Sequence, residues 1–285
     1  MKELRIAFVI SLKHPGITQD DVFLVEALAK HRWDCVAVAW DSPSVDWNNF
    51  DMILLRSPWN YHLLPHEFSR WIASVPQERL VNPPELVLWN MDKRYLKRLR
   101  DHGVRMPATI WLDEIGETIP GEDLFTRSGF AIVKPSISAS SFQTSKITRR
   151  DLKSVMEHSS QRVGEGGMMV QEYIKEVLNG EISMMYFGNI FSHAVLKEPK
   201  PGDFRVQAEF GGTVKPIQVS PQLIEQGLRI LSLLPCPSLY ARIDGVECNG
   251  DFVLMEVELI EPVLFFGLNP SSVELFATVL KKSLK

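Results

Sequence analysis

The sequence lacks most of the features that would place it outside the ordinary globular class. Its three cysteines form no CxxC pair, so neither a zinc site nor a disulfide framework is indicated. No apolar run approaches the roughly 20 residues that a membrane-spanning helix needs. The run Ile6–Ile10 is broken too soon, by Lys13 and Pro15, to be a signal peptide. We therefore expect a cytoplasmic protein with no membrane partner.

The sequence also lacks a large excess of either positive or negative charge. Lys and Arg number 31 and Asp and Glu 35, which gives a formal net charge of −4. Such a surface has no general attraction for a polyanion, so nucleic acid is not expected as a partner. Two familiar nucleotide-binding loops are missing. The segment Ser11–Gly16 after the first predicted strand is no GxGxxG, which disfavours a Rossmann oxidoreductase, and no GxxxxGK[ST] loop occurs.

The composition indicates a globular chain whose N-terminal and C-terminal parts differ from each other. Hydrophobic residues make up 45% and charged residues 23% of the sequence, and its length suggests two domains or one large one. All seven tryptophans precede residue 112, whereas only Gly16 and Gly103 of the 17 glycines precede residue 116. We place a boundary near residues 90 to 105.

The first part alternates strand-like and helix-like segments, which is typical of βαβ units and a parallel sheet. Thr18 followed by Asp21 is a helix start signal. The predicted strands are Leu4–Ile10, Val36–Trp40, Met52–Leu55 and Leu80–Val81, and the predicted helices run from Thr18 to about His31 and over Glu67–Ala73.

The second part is predicted to be largely antiparallel, because short apolar segments follow one another with few helices between them. A helix from about Asp92 to His102 ends at Gly103, and another covers about Arg150–His158. The expected fold class is α/β leading into α+β. The predicted strands are Ala131–Lys134, Met168–Ile174, Ile182–Phe187, Ile190–Leu196, Arg205–Phe210, Val214–Val219, Leu239–Asp244 and Phe252–Ile260.

The last two predicted strands carry paired charges. Arg242 and Asp244 are two positions apart, as are Glu256 and Glu258, so each pair shares one face of its strand. The strong turn signal Asn249-Gly250 lies between them and predicts an antiparallel hairpin. The opposite face is expected to hold the apolar neighbours Ile243, Met255, Val257 and Leu259.

The register of this hairpin decides whether the charges meet. Asp244 lies opposite Glu256, and Arg242 opposite Glu258, only if the loop has an odd number of residues, such as three over Asn249–Asp251. A two-residue turn would put the carboxylates on opposite faces.

Three acids converging on a partly buried hairpin need a cation nearby, because leaving them uncompensated is costly. Oxygen ligands of this kind suit Mg²⁺, which favours carboxylates together with phosphate oxygens. The alternative is a solvated face neutralised by Arg242. The residues alone leave both open.

Two lysines are candidates for holding phosphate. Lys134 ends an apolar strand and precedes the small polar run Ser136–Ser141, whose backbone N–H groups and single ammonium suit phosphate oxygens. The alternative is a surface turn with a solvated lysine. Lys93 opens an amphipathic basic helix, and such faces are often only solvated.

Three further positions could contact a ligand. In the segment Met168–Ile174 the buried-strand pattern ends at Glu172. Backbone groups there, together with the carboxylate, could bind the edge of a flat heterocycle. Arg205, between turn glycines, could serve developing phosphate charge or be an ordinary strand arginine. Arg56 follows the third strand, where ligands gather in open α/β sheets. It could bind a substrate carboxylate or form a structural ion pair.

The order of these parts resembles the ATP-grasp superfamily, in its glutathione-synthetase-like and ribosomal-protein-glutamate-ligase-like branch, over nearly the whole chain. Three segments look more closely like the O-ureido-D-serine cyclo-ligase group, which closes the D-cycloserine ring. They are Leu55–Tyr61, Gly202–Gln207 with Gly211-Gly212, and Glu256–Pro262.

The resemblance implies a fold and a division into domains. A small parallel N-terminal pre-ATP-grasp domain would cover 1–90, and antiparallel sheets clasping the nucleotide would cover 91–285. The second domain would consist of a lid subdomain at about 105–175 and a metal-binding subdomain at about 176–285.

The resemblance also implies a role for each candidate residue. Lys93 and Lys134 would hold the phosphates of ATP, with Ser140 in the loop that closes over them. Many relatives have Asn where this chain has Glu258, which makes the site more negative. The remaining roles would be Glu172, Tyr173 and Ile174 for adenine, Glu181 for ribose, Asp244, Glu256 and Glu258 for Mg²⁺, and Arg205 and Arg242 for the transferring phosphoryl group.

The activity implied is that of an ATP-dependent carboxylate–amine ligase that works through an acyl phosphate on small-molecule carboxylate and amine substrates. The substrate would be amino-acid-like, with Arg56 as a candidate contact, and ring formation is left open. A ligase acting on peptides or proteins, and a nucleotide-binding protein without turnover, are the alternatives. The oligomeric state is not determined by the sequence, and a homodimer is one of the options.

Overall fold

A computed structural model describes residues 3–112, 124–160 and 167–284 of the chain. Among these residues, no helix combines the length and the apolar character needed to cross a membrane. The predicted lid subdomain, about 105–175, includes residues 113–123 and 161–166, which lie outside the described residues. The proposed division into domains stays a prediction.

The N-terminal part is a parallel sheet in the order β2-β1-β3-β4. The helix start at Thr18 is confirmed, because its side-chain oxygen accepts from the N–H of Asp21 at 3.1 Å. The elements are β1 (Leu4–Ile10), α1 (Gln19–Ala29), β2 (Trp33–Ala39), β3 (Met52–Ser57), α2 (Pro65–Ser74), β4 (Leu80–Val81) and α3 (Pro84–Met91).

Helices cover both faces of this sheet, which is why its strands are nearly continuous apolar runs. Ile6 and Phe8 of β1 belong to a core cluster that includes α1, whereas Ala7 and Val9 belong to a second cluster that includes α2. The alternation follows from the two-residue period of a strand.

An antiparallel sheet follows, in the order β5-β8-β6-β7. The predicted helix from Asp92 is shorter than expected, but Gly103 follows its end with φ +79° as expected for a C′ glycine. The elements are α4 (Tyr95–Asp101), β5 (Thr109–Leu112), β6 (Phe130–Pro135), β7 (Ser145–Thr148), α5 (Leu152–Ser160) and β8 (Met168–Glu172).

The C-terminal part is a larger antiparallel sheet in the order β11-β10-β9-β12-β13. One of its faces packs with α6 and the other with α7, which also packs on α1 and so joins this sheet to the N-terminal part. The elements are β9 (Glu181–Phe187), β10 (Ile190–Glu198), β11 (Thr213–Ile217), α6 (Pro221–Ser232), β12 (Tyr240–Cys248), β13 (Asp251–Glu258) and α7 (Ser272–Ser283).

The parallel and antiparallel halves confirm the predicted fold class. One predicted strand is wrong, because Arg205–Phe210 is a loop that ends in a short 3₁₀ turn at Ala208–Phe210. The prediction also missed α3, α6 and α7. Proline occupies the first turn of α3 and α6, a favourable start signal that could have found them.

Candidate functional site

A cavity of about 360 Å³ is lined by residues of both antiparallel sheets. It brings together all but one of the residues singled out in the sequence, although they are spread over more than 160 positions. The cavity is lined by Lys93, Lys134, Ser140, Glu172, Tyr173, Ile174, Glu181, Arg205, Arg242, Asp244, Glu256 and Glu258. Arg56 does not line it.

The charged hairpin pairs its carboxylates although its loop is the two-residue turn that was expected to separate them. Asp244 lies opposite Glu256, and Arg242 opposite Glu258. The connection is a two-residue turn, Asn249-Gly250, whose positive φ angles of 55° and 83° suit a tight hairpin. A bulge between Asp244 and Gly245 shifts the register by one residue, and this restores the pairing that a two-residue turn alone would have destroyed.

The bulge also changes the place of Met255, which the alternation put on the apolar face. Met255 is the extra residue of the bulged strand, since Gly245 pairs with Leu254 and Asp244 with Glu256. Its side chain lines the cavity beside Glu256. Strict alternation was therefore the wrong prediction at this position.

Asp244 is the most strongly held carboxylate of the site. It accepts from the hydroxyl of Ser183 at 2.6 Å, from Nζ of Lys197 at 3.0 Å and from the guanidinium of Arg242 at 2.9 to 3.1 Å. Burial disfavours its charge, yet Arg242 and Lys197 hold the pKa of Asp244 below its usual value. This carboxylate stays ionised.

The pKa of Glu258 is set by a different combination of burial and neighbouring charge. Burial, together with the charges of Asp244 and Glu256, raises the pKa of Glu258 to about 7, even though Arg242 lowers it. Arg242 also hydrogen-bonds Glu258 and so links the two strands. The hairpin face therefore carries three carboxylates and one cation of its own, Arg242, while Lys93 and Lys197 from other elements pair with Glu256 and Asp244.

Lys93 connects the hairpin to the small polar loop. Its Nζ lies 3.0 Å from Oε1 of Glu256 and also donates to the carbonyl of Ser138. Its backbone N–H donates to the carbonyl of Ser136 at 2.9 Å. The lysine is only 5% exposed, so it is positioned by the fold and is not a solvated surface cation.

Lys134 is the unpaired cation of the cavity. Among the described residues it forms no ion pair or hydrogen bond through its ammonium group, and burial lowers its pKa. Glu256 and Glu181 act on it at longer range. A partly buried ammonium without an anion is free to accept one, and a phosphate oxygen is the anion that this loop suits.

The loop after Lys134 is held in an uncommon conformation. Ser140 and Ser141 have φ angles of 48° and 55°, in the left-handed region that non-glycine residues seldom adopt. Ser138 is fixed by a hydrogen bond from its hydroxyl to the carbonyl of Pro135 at 3.0 Å. The loop therefore lines the cavity with small polar groups and little side-chain bulk.

The far end of the cavity is apolar and suits a flat ring. Tyr173, Ile174 and Ile132 pack in one cluster there, and Glu172 lies at its edge with its Oε1 3.8 Å from Nε of Arg127. Burial raises the pKa of Glu172. The backbone N–H of Tyr173 is directed to the carbonyl of Phe130 at 3.4 Å.

Arg205 reaches the cavity from the loop that had been predicted as a strand. Asp203 pairs with its guanidinium at 2.8 Å, and the guanidinium carbon lies 3.7 Å from the centre of the Phe210 ring. The hydrogen bonds to Asp203 raise the pKa of Arg205. It is thus a permanent cation on a loop at the cavity mouth.

Arg56 is placed elsewhere. Its Nε lies 2.7 Å from Oδ1 of Asp21, both side chains are 2% exposed, and its Nη2 donates to the carbonyl of Pro262. The candidate substrate contact is therefore not among the cavity residues, and the geometry favours the ion-pair alternative.

Sequence reasoning missed three residues of the cavity region. Lys197 ends β10 with its Nζ 2.5 Å from Glu181 and 3.0 Å from Asp244. Burial alone would lower its pKa, but these two carboxylates raise it. A lysine at the end of an apolar strand is the signal that identified Lys134, and it could have found Lys197. No comparable sequence pattern identifies Ser183 or Glu261.

The donor chemistry fits a magnesium ion, although the carboxylates are engaged by protein cations. No group of three His, Cys, Asp or Glu side chains within the described ranges is arranged to hold a metal ion. Each of Asp244, Glu256 and Glu258 is paired with Lys or Arg. Oxygen donors and a local excess of acid nevertheless suit Mg²⁺, with phosphate oxygens completing its coordination.

Comparisons with known proteins relate both parts of the chain to known families. Residues 6–82 match the family model of the N-terminal domain of D-cycloserine synthetase DcsG, and residues 122–263 match that of the ATP-grasp domain of prokaryotic glutathione synthetase. The cycloserine biosynthesis protein DcsG of Streptomyces lavendulae is 26% identical over 86% of this chain and 87% of its own. A probable alpha-L-glutamate ligase of Shewanella is 30% identical over 33% of this chain and 30% of its own.

Solved structures share the fold. The crystal structure of D-cycloserine synthetase DcsG has a TM-score of 0.84 at 24% identity, over 99% of this chain and 100% of that one. D-alanine–D-alanine ligase from Bacillus anthracis has a TM-score of 0.64 at 18% identity, over 99% and 96%. The chain belongs to the ATP-grasp superfamily of ligases, which confirms the resemblance noted in the sequence.

Proposed function

We propose that the protein is an ATP-dependent carboxylate–amine ligase whose substrate is a small amino-acid-like carboxylate. ATP phosphorylates the carboxylate, and an amine then displaces phosphate from the acyl phosphate to form an amide. No protein nucleophile is required, so the residues contribute positioning and charge.

Each part of the cavity has a role in this scheme. Lys134 and Lys93 hold the nucleotide phosphates, with Ser140 in the loop above them. Lys197 keeps Asp244 and Glu181 in place. Asp244, Glu256 and Glu258 would hold Mg²⁺, which would supply positive charge to the phosphate oxygens. Arg242 and Arg205 stabilise the phosphoryl group during its transfer.

The residues at the apolar end of the cavity are assigned to adenine and ribose. Tyr173 and Ile174 pack against the faces and edge of adenine, while Glu172 accepts from its amine. Glu181 binds the ribose hydroxyls, and its pairing with Lys197 positions it to do so.

One observation carries the proposal. Among the described residues the Lys134 ammonium has no partner, and it lines the same cavity as a hairpin face that carries three carboxylates and one cation of its own, Arg242. A magnesium–triphosphate complex satisfies both, because its phosphates supply the anion and its metal the cation.

The similarity to DcsG along most of the chain supports a small molecule and, with it, ring closure. The peptide-modifying alternative is supported by a fold shared with the ATP-grasp ligase PsnB, whose structure was solved with its precursor (TM-score 0.66, 16% identity).

The test is a screen for ADP release with amino acids, hydroxy acids and short peptides, each alone and with an added amine. A compound that triggers ADP release alone, and whose product has lost one water in mass, establishes ring closure. ADP release that requires a separate amine establishes open amide formation. Release with peptides only supports the alternative, and no substrate-dependent release contradicts the ligase assignment.

A further inference from the structure

Glu261 is a cavity carboxylate with no role in the scheme above. It follows β13 by three residues and lines the same cavity as the hairpin acids. Five other acids that are not fully exposed line this cavity, and each lies within 4 Å of a Lys or Arg nitrogen. The pairs are Glu172 with Arg127, Glu181 with Lys197, Asp244 with Arg242 and Lys197, Glu256 with Lys93, and Glu258 with Arg242.

Glu261 forms no such ion pair within the described part of the chain. Its side-chain partner is neutral, the phenol of Tyr61, which is 4% exposed and comes from the N-terminal part. Burial, with the charges of Glu258 and Glu256, raises the pKa of Glu261 to about 8, while Lys93 lowers it from a distance. The carboxyl group therefore lacks a cation that the cavity gives to its other acids.

An aromatic wall lies beside it. Trp59 lines the cavity, and its indole Nε1 donates to the backbone carbonyl of Glu261 at 3.4 Å. This contact fixes the two residues relative to each other. The contact is made by the backbone of Glu261, whereas its carboxylate and the indole ring both line the cavity. An organic ammonium ion bound between them would gain an ion pair from the first and a cation–π contact from the second.

We propose that Glu261 and Trp59 form a subsite for a primary ammonium group of the substrate, which makes the substrate an amino acid and not a simple carboxylic acid. The proposal rests on the ligase function above and specifies its substrate class. Tyr61 is a positioning residue, because its buried phenol is a neighbour of the Glu261 carboxyl.

The competing interpretation is that Glu261 is one more ligand for a metal ion. Two features favour the ammonium. The neighbouring ring of Trp59 provides no oxygen donor, and a hard divalent cation gains little from it. The hairpin already presents three carboxylates that could bind a metal ion. Of the described acids that line the cavity, only Glu261 and the exposed Glu209 lack a Lys or Arg partner.

The experiment compares molecules that differ only in the amine. Calorimetry with Mg²⁺ and a non-hydrolysable ATP analogue measures binding of alanine against propionate, and of serine against 3-hydroxypropionate, with both enantiomers of each amino acid. The wild-type protein is expected to prefer one amino acid over its deaminated counterpart by at least about tenfold. Glu261→Gln is expected to reduce that ratio to about one.

Two further variants serve as controls. Glu209→Gln removes an exposed carboxylate of the same cavity, and it is expected to keep the wild-type preference. Tyr61→Phe keeps the carboxylate and removes the neighbouring hydroxyl, so an intermediate ratio is expected. It also tests the proposal if Glu261→Gln does not fold.

Three results would overturn the proposal. They are an unchanged ratio in Glu261→Gln, no preference in the wild-type protein, and a loss of Mg²⁺ affinity in Glu261→Gln without any amine present, which would make Glu261 a metal ligand. Failure of the ligase function is distinct, because it would abolish ADP release while a preference for ammonium compounds persisted in calorimetry.

Discussion

Nζ of Lys93 lies 3.0 Å from Oε1 of Glu256. The same ammonium donates to the carbonyl of Ser138, so a single lysine joins the charged hairpin to the small polar loop after Lys134. The contact spans more than 160 positions of the chain, and it means that a change at Glu256 alters both walls of the cavity.

Glu256→Gln is expected to lower the rate of substrate-dependent ADP release by about 100-fold or more, the size found when one charge-stabilising group is lost from an active site. The fold should be spared, because the Glu256 side chain is 30% exposed and neutral glutamine fits its place. Steady-state ADP release and a thermal melt measure the two effects. Glu247→Gln, an exposed acid of the same hairpin, is the matched control, and equal turnover in both variants would contradict the metal assignment.

Lys134→Met is expected to weaken nucleotide binding without lowering the stability of the nucleotide-free protein. The ammonium group is partly buried and has no partner in the described part of the chain, so its replacement by an apolar side chain of similar length should leave the nucleotide-free protein as stable as before or more stable. Nucleotide affinity should fall at least about tenfold, because a charge-assisted contact to phosphate is lost. Chemical denaturation and calorimetry with ATP measure the two. A large loss of stability with unchanged ATP affinity would make Lys134 a structural residue.

Magnesium should bind appreciably only together with the nucleotide. Asp244, Glu256 and Glu258 are each paired with a protein cation, so an ion arriving alone must displace Lys or Arg without phosphate oxygens to complete its coordination. Calorimetric titration with Mg²⁺ before and after addition of a non-hydrolysable ATP analogue is the measurement. Tight binding to the protein alone would show that the carboxylates form a site of their own.

Gly245→Ala tests the bulge that sets the hairpin register. A Cβ at this position would lie 2.4 Å from the carbonyl oxygen of Val253 and 2.5 Å from the Phe252 ring. The backbone cannot give way as a flexible side chain would, so we expect a loss of about 1 to 3 kcal/mol in the free energy of unfolding. ADP release should fall as well. Glu247→Ala is the control, and an undisturbed melt in Gly245→Ala would mean that the bulge relaxes freely.

His62 should make stability depend on pH on the acid side. Burial, followed by the nearby charges of Lys93 and Lys13, lowers the pKa of His62 to about 4 from an ordinary value of 6.5. Between these values the unfolded chain takes up a proton that the folded protein does not, so stability falls as the pH drops from about 6.5 to 4. His62→Gln should lose less stability over this window.

Urea denaturation at pH 7, 6 and 5 measures the difference between the two proteins. The exposed His66→Gln is the control. Parallel stability curves for the wild-type protein and His62→Gln would show that His62 does not contribute.

Much of the architecture could be predicted from local patterns. The parallel sheet follows from apolar runs of strand length alternating with helical segments, and β1 and β4 have the predicted bounds. The charged faces of β12 and β13 follow from the two-residue period of a strand. Chain order then supplied the candidate residues, of which Lys93, Lys134 and the three hairpin acids line one cavity.

Other parts depended on contacts that no local pattern shows. Whether Arg56 faces a ligand or an ion pair depends on Asp21, 35 positions away, and on the carbonyl of Pro262. Lys197 became part of the site through Asp244, 47 positions away. The role inferred for Glu261 depends on two aromatic residues 200 positions earlier in the chain.

The sequence by itself determined most of the strands, the charged faces of β12 and β13, and that one short turn joins these last two strands. Only the tertiary structure decided the register, by placing a bulge at Gly245, and the partner of each buried charge. The physical reason is that the period of a strand and the preference of Asn-Gly for a turn are properties of neighbouring residues. Ion pairing and the packing around a bulge are energies between segments that meet only when the chain is folded.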